Sequence, residues 1–354
     1  MILKIGELFC GPGGLGLAAK ETSLRNNQRR KFGFAHAWAT DIDPDACATY
    51  RENIFKGKKR RVFCKDVKEL DYSKLPEIDL LTFGFPCNDY STVGEQLGMD
   101  GEFGPLYTYG VKALNTFHPR FFLAENVSGL GSSNEGNAFI QIMSDLHHAG
   151  YRLYPHLYKF ELYGIPQARH RIIIIGVRND LDYEFKIPAP NRVKKTSFEA
   201  ICNPPIPEDA ANNEHTRHSR DVIERLGYIK PGGNAFNSEL PKHLRLNVKG
   251  ATISQIYKRL NPNEPAYTVT GNGGGGTHIY HWDEPRALTN RERARLQTFP
   301  DYFVFSGSKE SVRSQIGMAV PVGGAKIIFT SLLKTIAGIK YESIKPSIYF
   351  SNED

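Results

Sequence analysis

Cysteine is scarce in this chain of 354 residues. The few cysteines show no Cys-x-x-Cys spacing and are not grouped with histidines, as the ligands of a zinc site would be. This pattern argues against a disulfide framework and against a structural zinc centre. We expect free thiols in a reducing compartment, at the five positions Cys10, Cys47, Cys64, Cys87 and Cys202.

Long apolar runs are also lacking. No stretch approaches the roughly 18 consecutive apolar residues of a membrane span. The opening segment MILKIGELFC has neither the charged region nor the cleavage signal of a secretory peptide. We therefore expect a cytoplasmic protein, and a hydrophobic content of 40% is sufficient for a sizeable buried core.

Positive charge exceeds negative charge. The formal net charge is +7 and the pI is near 9.0. Phosphate groups favour Lys and Arg because binding releases condensed counterions, so a polyanionic partner such as nucleic acid is indicated. The excess is modest, and it does not identify the partner by itself.

The first half of the chain alternates short apolar runs with helix-length segments. Continuous apolar strands in this pattern are typical of a mostly parallel sheet that is covered on both faces, so we expect a doubly wound α/β domain. The predicted strands are Lys4–Phe9, Phe34–Thr40, Arg61–Cys64, Ile78–Phe83, Phe121–Glu125 and Arg171–Val177.

The segment 182–285 differs in composition, because Pro and Gly are frequent and the hydrophobic periodicity is weak. We read it as a smaller, irregular domain inserted between residues 1–181 and 286–354. Order returns after Arg286, where Thr289 or Asn290 is suited to cap a helix, and an apolar helix near the end is expected to pack on the first domain.

The stretch ELFCGPGGLG contains glycines in the G-x-G-x-x-G spacing of a dinucleotide loop, at Gly11, Gly13 and Gly16. Asp41 follows about 25 residues after Gly16, where a ribose-binding acid is expected in this architecture. A tight turn without a ligand would show the same spacing. NAD, FAD and S-adenosylmethionine all remain open on these residues alone.

Two reactive side chains follow predicted strands. Cys87 stands in the loop GFPCNDYS just after one strand, and Glu125 stands at the end of another. Ligands of open α/β sheets bind at the carboxyl ends of strands, so a thiolate and an acid at this edge form a covalent and general-acid pair. An inert cysteine and a salt-bridged glutamate are the plainer alternatives.

Three polar residues, Gln167, Arg169 and Arg171, precede or begin the last predicted strand. Arginines at alternate positions share a face, and their forked guanidinium groups suit a phosphate or a carboxylate. The alternative is solvated charge beside a buried strand.

These blocks, in this order, resemble the DNA (cytosine-5)-methyltransferase family of bacterial restriction-modification systems. The resemblance covers about residues 4–178 and 286–330. The matching blocks are Phe9-x-Gly11-x-Gly13-Gly14, Asp41–Ile42, Asp66–Val67, Gly84–Phe85–Pro86–Cys87, Glu125–Asn126–Val127, Gln167-x-Arg169-x-Arg171, RERARLQTFPD and QIGMAVPV.

The resemblance implies a Rossmann-like methyltransferase domain, residues 1–181 and 286–354, and a target-recognition domain, residues 182–285. It implies S-adenosylmethionine as methyl donor, with S-adenosylhomocysteine as product. The implied cofactor contacts are Phe9, Gly11, Pro12, Gly13, Gly14, Asp41, Ile42, Asp66, Val67, Pro86, Leu106, Ala319 and Val320.

The resemblance also implies a mechanism. Cys87 would add to carbon 6 of a cytosine flipped out of double-stranded DNA, and Glu125 would stabilise charge at ring nitrogen 3. Arg169 would hold that glutamate and the base or its sugar-phosphate, with Arg171 beside it. Loss of the hydrogen at carbon 5 and of Cys87 would follow methyl transfer.

DNA contacts are expected at Ser91 and Asn88 in the nucleophile loop and at basic residues of the recognition segment. Among these basic residues we name Arg217, Arg220 and Arg245 as DNA-binding, and we expect only two or three of the whole set to read bases. The basic set is Arg217, His218, Arg220, Arg225, Lys230, Lys242, Arg245, Lys249, Lys258 and Arg259.

The sequence departs from the family's usual pattern in three places. Asn88–Asp89 follow the cysteine where Gln is commoner, Phe103 stands where an arginine is usual, and Met318 replaces an asparagine. None of these departures removes a catalytic group. We expect a monomer. The residues do not determine the recognition sequence or whether an endonuclease is a partner.

Three competing interpretations are weighed against this one. An RNA-cytosine methyltransferase would use the same chemistry, but Phe85 and about 100 inserted residues favour duplex DNA. A dinucleotide-dependent oxidoreductase explains the glycines but leaves Cys87 and Glu125 without a role. A catalytically silent DNA-binding protein needs neither of them.

Overall fold

The computed structural model describes residues 1–57, 61–85, 106–127, 135–236, 238–246, 255–271 and 273–350. Its strands are β1 Ile2–Leu8, β2 Ser23–Arg25, β3 Lys31–Asp41, β4 Val62–Cys64, β5 Leu80–Gly84, β6 Phe121–Val127, β7 Tyr151–Lys159, β8 Gln167–Ala168, β9 His170–Arg178, β10 Ile187–Pro188, β11 Ala266–Tyr267 and β12 Ser343–Ile344. Its helices are α1 Gly14–Glu21, α2 Pro44–Phe55, α3 Tyr107–Phe117, α4 Glu135–His148, α5 Ser197–Cys202, α6 Arg220–Gly227, α7 Asn290–Leu296, α8 Lys309–Met318 and α9 Val322–Ala337.

The chain forms two compact units. Unit 1 contains residues 1–159, 170–190 and 324–354, and unit 2 contains residues 160–169 and 191–323. Unit 2 is larger than the irregular domain predicted over 182–285, because α7 and α8 belong to it. The role of residues 182–285 in target recognition stays a prediction.

An eight-stranded sheet organises unit 1. Its order is β2-β3-β1-β5-β6-β9-β7, with β4 also paired to β3. The strands β1, β3, β4, β5 and β6 pair in parallel, whereas β9 runs antiparallel to β6 and β7 antiparallel to β9. The predicted α/β class with a mostly parallel sheet is confirmed, and its parallel strands end at a common edge.

Continuous apolar runs explain why the central strands were predictable. In β5, Leu80, Leu81 and Phe83 are almost fully buried, and in β9 the run from Ile172 to Val177 is buried. All six predicted strands occur. The edge strand β7 escaped prediction because exposed and buried residues mix along it and Pro155 interrupts its pattern.

The ends of helices also follow sequence signals. Asp43 caps α2 by accepting hydrogen bonds from the backbone N–H groups of Asp45 and Ala46. Thr289 caps α7 in a capping box with Glu292, as one of the two predicted caps. In unit 1, the Phe329 ring of α9 lies 5.1 Å from the ring of Phe34, which confirms the predicted packing of that helix.

One apolar window corrects the expectation about long hydrophobic runs. Within Lys309–Ala337 an 18-residue window has a mean hydropathy of 1.6, which meets the length and composition of a membrane span. However, 72% of that window is buried inside the protein, and α8 ends at Met318 before α9 begins at Val322. The window therefore has the properties of core helix.

The buried run of β9 generates a stability prediction. Ile174 is 2% exposed and pairs with both Ala124 and Pro155. We expect Ile174→Ala to lower the free energy of unfolding by about 2–5 kcal/mol, because it removes buried methyl groups and leaves a cavity. Chemical denaturation measures the change, with Ile140→Ala, at a residue 44% exposed, as matched control. Equal losses in the two variants would contradict the assigned core.

Candidate active site

The segment from Phe9 to Gly13 connects β1 to α1 with an unusual backbone. Phe9, Gly11 and Gly13 have positive φ angles of 53°, 52° and 102°. Its position is fixed by Cys10, whose N–H donates to Thr40 O at 3.0 Å. The segment therefore bends back over the end of β3, at the edge where the parallel strands finish.

The glycines of this segment serve two purposes. A Cβ at Gly16 would lie 2.6 Å from Tyr50 Oη, and a Cβ at Gly13 would lie 2.9 Å from the Tyr50 ring. A Cβ at Gly11 would meet nothing within 4 Å. Gly13 and Gly16 are thus required by packing against α2, and Gly11 leaves open space where a ligand's atoms can approach.

Tyr50 also reaches a buried acid that sequence reasoning missed. Its hydroxyl donates to Glu7 Oε2 at 2.7 Å, and the Glu7 residue is 2% exposed. Burial raises the pKa of Glu7 to about 8, although the hydrogen bond from Tyr50 opposes that shift. The available signal was an acidic residue inside an apolar strand, just before the glycines.

Asp41 ties the glycine segment to the end of β3. Its Oδ2 accepts from Gly11 N at 2.8 Å and its Oδ1 accepts from Asp43 N at 3.0 Å. Burial raises the pKa of this carboxyl group, and the two backbone hydrogen bonds oppose the shift. Next to it, the apolar side chain of Ile42 is 67% exposed.

The next predicted cofactor residues lie at the end of β4, which pairs with β3 so that Asp41 faces Cys64. Asp66 accepts a hydrogen bond from Lys68 N at 2.9 Å, and Val67 is buried. Asp41, Ile42, Asp66 and Gly11 therefore surround the carboxyl ends of neighbouring parallel strands.

The remaining predicted cofactor residues have varied environments. Pro12 and Gly14 are buried in unit 1, and Leu106 packs half-buried against its core. Ala319 and Val320 are buried in unit 2. Pro86 lies outside the described residues.

Glu125 is held by an arginine of the adjacent strand. Its Oε1 lies 2.8 Å from Arg171 Nε, and the two side chains are only 12% and 13% exposed. The antiparallel register of β6 and β9 places Val127 opposite Arg171, which brings the guanidinium to the end of β6. A partly buried pair of this kind has a fixed orientation because few water molecules compete for its hydrogen bonds.

The neighbouring strand β5 ends beside this carboxylate. Gly84 pairs with Glu125, and a Cβ at Gly84 would lie 2.9 Å from Glu125 Oε2. Any side chain at position 84 would press on the carboxylate. Cys87 comes three residues later in the chain but lies outside the described residues, as do Asn88, Ser91 and Phe103.

The structure places Arg171 on Glu125. The contact of Arg169 with that glutamate stays a prediction. Arg169 is 1% exposed and donates from its two Nη atoms to Val269 O at 3.0 Å and Gly317 O at 2.9 Å within unit 2. The strand β9 begins between the two arginines, at His170, so their side chains have different surroundings.

The basic residues of the recognition segment divide into two groups. Arg259 is buried and donates to the carbonyls of Leu226, Ile229, His281 and Glu284, so it anchors the fold of unit 2. The exposed group contains Arg217, Arg220, Lys230, Lys242 and Arg245. Arg245 also donates from its Nε to Leu240 O at 3.1 Å.

The remaining basic residues of the recognition segment have other environments. Arg225 lies over the Tyr257 ring at 4.7 Å, and Lys258 lies over the Tyr267 ring at 4.7 Å. His218 accepts from Ala287 N, and burial lowers its pKa. Lys249 lies outside the described residues. Among the described residues, no group of three or more His, Cys, Asp and Glu is suited to a metal ion.

Residues 3–334 match the family of C-5 cytosine-specific DNA methylases. This match spans most of the chain, and the chain therefore belongs to that family. Its enzyme class is DNA (cytosine-5-)-methyltransferase.

Two relatives show how close the resemblance is. The chain is 59% identical to Type II methyltransferase M.BbvI of Brevibacillus brevis, over 97% of this chain and 94% of that protein. It is 39% identical to Type II methyltransferase M.NgoFVII of Neisseria gonorrhoeae, over 96% and 89%.

Solved structures support the fold. A protein of Escherichia coli, described as a prophage-encoded DNA modification methyltransferase, aligns with a TM-score of 0.72 and 23% identity over 94% of this chain and 99% of that one. A mutant of DNMT2 from Spodoptera frugiperda aligns with a TM-score of 0.64 and 16% identity, over 93% and 99%. At these identities the likeness concerns the fold alone.

The buried Glu7 predicts a pH dependence of stability. The unfolded glutamate titrates near 4.5 and the folded one near 8, so the folded state retains a proton that the unfolded state releases between these values. We therefore expect the free energy of unfolding to fall as the pH rises from about 5 to 8. Glu7→Gln should remove that component, because the amide oxygen still accepts from Tyr50 and carries no charge.

Urea denaturation at several pH values measures this difference. The exposed Glu52→Gln serves as control and should keep the slope of the wild-type protein. The assignment fails when Glu7→Gln and wild type show the same slope.

Proposed function

We propose that this enzyme transfers a methyl group from S-adenosylmethionine to carbon 5 of a flipped-out cytosine in a specific double-stranded DNA sequence. The fixed Glu125–Arg171 pair beside the end of β5 carries this proposal most strongly. It supplies an oriented carboxyl group beside the end of β5, and the chain continues from β5 to Cys87.

The residues around the glycine segment fit the proposed methyl donor. Open space at Gly11 suits the methionine part of the molecule, and the carboxylate of Asp41 suits ribose hydroxyls. The exposed face of Ile42 suits an adenine ring, which needs an apolar surface to pack against. Bound S-adenosylmethionine supplies the methyl group as an electrophilic sulfonium, and S-adenosylhomocysteine is the product.

Carbon 5 of cytosine is a weak nucleophile, so the ring needs electron density from the enzyme. The Cys87 thiolate adds to carbon 6, and the electron pair of the 5,6 double bond becomes available at carbon 5. Glu125 stabilises the charge that develops at ring nitrogen 3, and Arg171 keeps its carboxyl group in one orientation. Carbon 5 uses this electron pair to accept the methyl group. Loss of the proton at carbon 5 then returns an electron pair to the 5,6 bond, which expels the Cys87 thiolate and restores the aromatic ring.

The partner and biological setting follow from the class of the relatives. The exposed arginines Arg217, Arg220 and Arg245 of unit 2 are suited to contacts with DNA phosphates and guanines. We propose a monomeric, cytoplasmic modification enzyme, associated with the nucleoid when bound to DNA, that protects sites cut by a restriction endonuclease of the same specificity.

Covalent trapping tests the role of Cys87. A duplex library containing 5-fluorocytosine, incubated with the protein and S-adenosylmethionine, should give an adduct that survives denaturing electrophoresis, because fluorine at carbon 5 cannot leave as a proton does. Cys87→Ala should abolish the adduct, and the control Cys202→Ala should retain it. An adduct formed equally by Cys87→Ala would refute the covalent role.

Methyl-transfer kinetics test the role of Glu125. We expect Glu125→Gln to lower kcat by about 10²–10⁴-fold, the usual contribution of a positioned acid, while the KM for S-adenosylmethionine changes little. The exposed Glu77→Gln is the matched control and should leave both constants unchanged. A kcat of Glu125→Gln close to the wild-type value would exclude this role.

A further inference from the structure

Three arginines of α7 are buried, and they differ in what they bind. Arg291 is 0% exposed and donates to the carbonyls of Ala211, Pro300 and Phe303. Arg295 is 8% exposed and pairs with Asp301 at 2.6 Å. Both of these guanidinium groups are engaged within unit 2, as expected of cations that anchor a fold.

Arg293 lies between them on α7 and has a different environment. Its residue is 1% exposed, and its buried Nη1 finds no hydrogen-bond partner among the described residues. Burial lowers the pKa of Arg293 to about 10, and the nearby charge of Arg313 adds to that shift. A buried guanidinium with an open donor costs free energy in the unliganded protein, because the water it has lost is not replaced.

A second cation, Arg313 of α8, also has a buried donor without a hydrogen-bond partner. Its Nε is buried and lacks a hydrogen-bond partner within the part of the chain that the structure describes. A Cβ on Gly273 would lie 3.8 Å from Arg313 Cδ and 3.7 Å from His278 Nδ1. Arg313 and His278 therefore lie on the same side of Gly273 in unit 2, and the charge of Arg293 acts on both of them. We call these three residues the buried cation cluster.

Further positive charge surrounds the cluster. Burial lowers the pKa of His278 to about 4, and Arg293, Arg313, His218 and Lys309 all contribute in the same direction. The His218 and His278 rings lie 5.9 Å apart. His278 is therefore neutral near pH 7, and the positive charge of the cluster comes from Arg293 and Arg313, which repel one another and favour an anion.

The polar groups beside the cluster are already engaged. Glu292 accepts two hydrogen bonds of 2.8 Å from Arg286. The Tyr267 hydroxyl donates to Lys258 O, and the Tyr280 hydroxyl donates to Gly275 O. The anion that balances the cluster is therefore expected to come from outside this group of residues.

A glycine segment connects the cluster to the surface. A Cβ on Gly273 would come within 4 Å of Arg313 and His278, and the following Gly274 and Gly275 are exposed. A Cβ at either of these two glycines would meet nothing within 4 Å. Backbone without side chains leaves room for a phosphate oxygen to approach the arginines closely.

We propose that the buried cation cluster binds one phosphate group of the DNA backbone. This proposal rests on the proposed function, because that function supplies DNA as the ligand. The contact is independent of sequence, and it explains why a buried arginine donor has no partner among the described residues of the free protein. Free phosphate has the same chemistry, so the test separates the two sources.

The salt dependence of DNA binding is the main readout. The slope of log K against log salt concentration changes by about one for each phosphate that the protein no longer neutralises. We expect the double variant Arg293→Met/Arg313→Met to reduce the magnitude of that slope by about one on specific and nonspecific duplexes, and each single variant to reduce it by a measurable part of that change. Lys194→Met, which removes an exposed cation of unit 2, is the charge-matched control and should keep the wild-type slope.

Thermal stability separates a binding role from a structural one. Removing a buried cation that lacks a counter-charge should raise the melting temperature of the free protein, whereas removing a structural anchor should lower it. A lower melting temperature of Arg293→Met together with a wild-type slope would overturn the proposal. Arg313 is half-buried, so Arg313→Met gives the slope even where Arg293→Met does not fold.

Inorganic phosphate tests whether the ligand of the cluster is free phosphate instead of DNA. Melting of the wild type and of Arg293→Met is compared in phosphate and in chloride of equal ionic strength. A phosphate-specific rise in melting temperature confined to the wild type, together with unchanged DNA slopes in both variants, would assign the cluster to free phosphate and overturn the DNA contact.

The 5-fluorocytosine adduct separates this proposal from the proposed function. It should still form in Arg293→Met at saturating DNA, whereas failure of the wild type to form it would count against the proposed function instead.

Discussion

Parallel pairing of five strands is the constraint on which the candidate site depends. Because β1, β3, β4, β5 and β6 run in one direction, the segments that leave them emerge at one edge of the sheet. Gly11, Asp41 and Glu125 come from distant parts of the sequence and reach that edge for this reason alone. One antiparallel strand then completes the arrangement, since β9 returns along β6 and brings Arg171 to the acid.

The sequence allowed the parts of this arrangement that depend on local pattern to be predicted. Buried apolar strands, the cap at Thr289 and the acids that end β3 and β6 all carry signals within a few residues. No local signal identifies which arginine contacts Glu125. Arg169 and Arg171 are both basic, and only the start of β9 at His170 separates their surroundings. Tyr50 could not be found either, since its contact with Glu7 joins residues 43 positions apart.

Buried arginines show why counts of basic residues describe a DNA-binding surface poorly. Arg259 donates to backbone carbonyls of unit 2, and Arg291 and Arg295 do the same from α7. Their charge contributes to the pI, but their guanidinium groups are committed to the fold. Exposed residues such as Arg217 and Arg220 are differently placed, and a sequence cannot separate the two groups because burial depends on distant packing.

Tyr50 gives the glycines of the motif different physical reasons for being glycine. Gly13 and Gly16 are constrained from the side of α2, so a larger residue at either position requires a smaller one at position 50. Gly11 has no such neighbour within 4 Å among the described residues. Gly11 is constrained by its own backbone instead, because its φ of 52° strains any residue that carries a side chain, while Tyr50 of α2 limits what Gly13 and Gly16 can become.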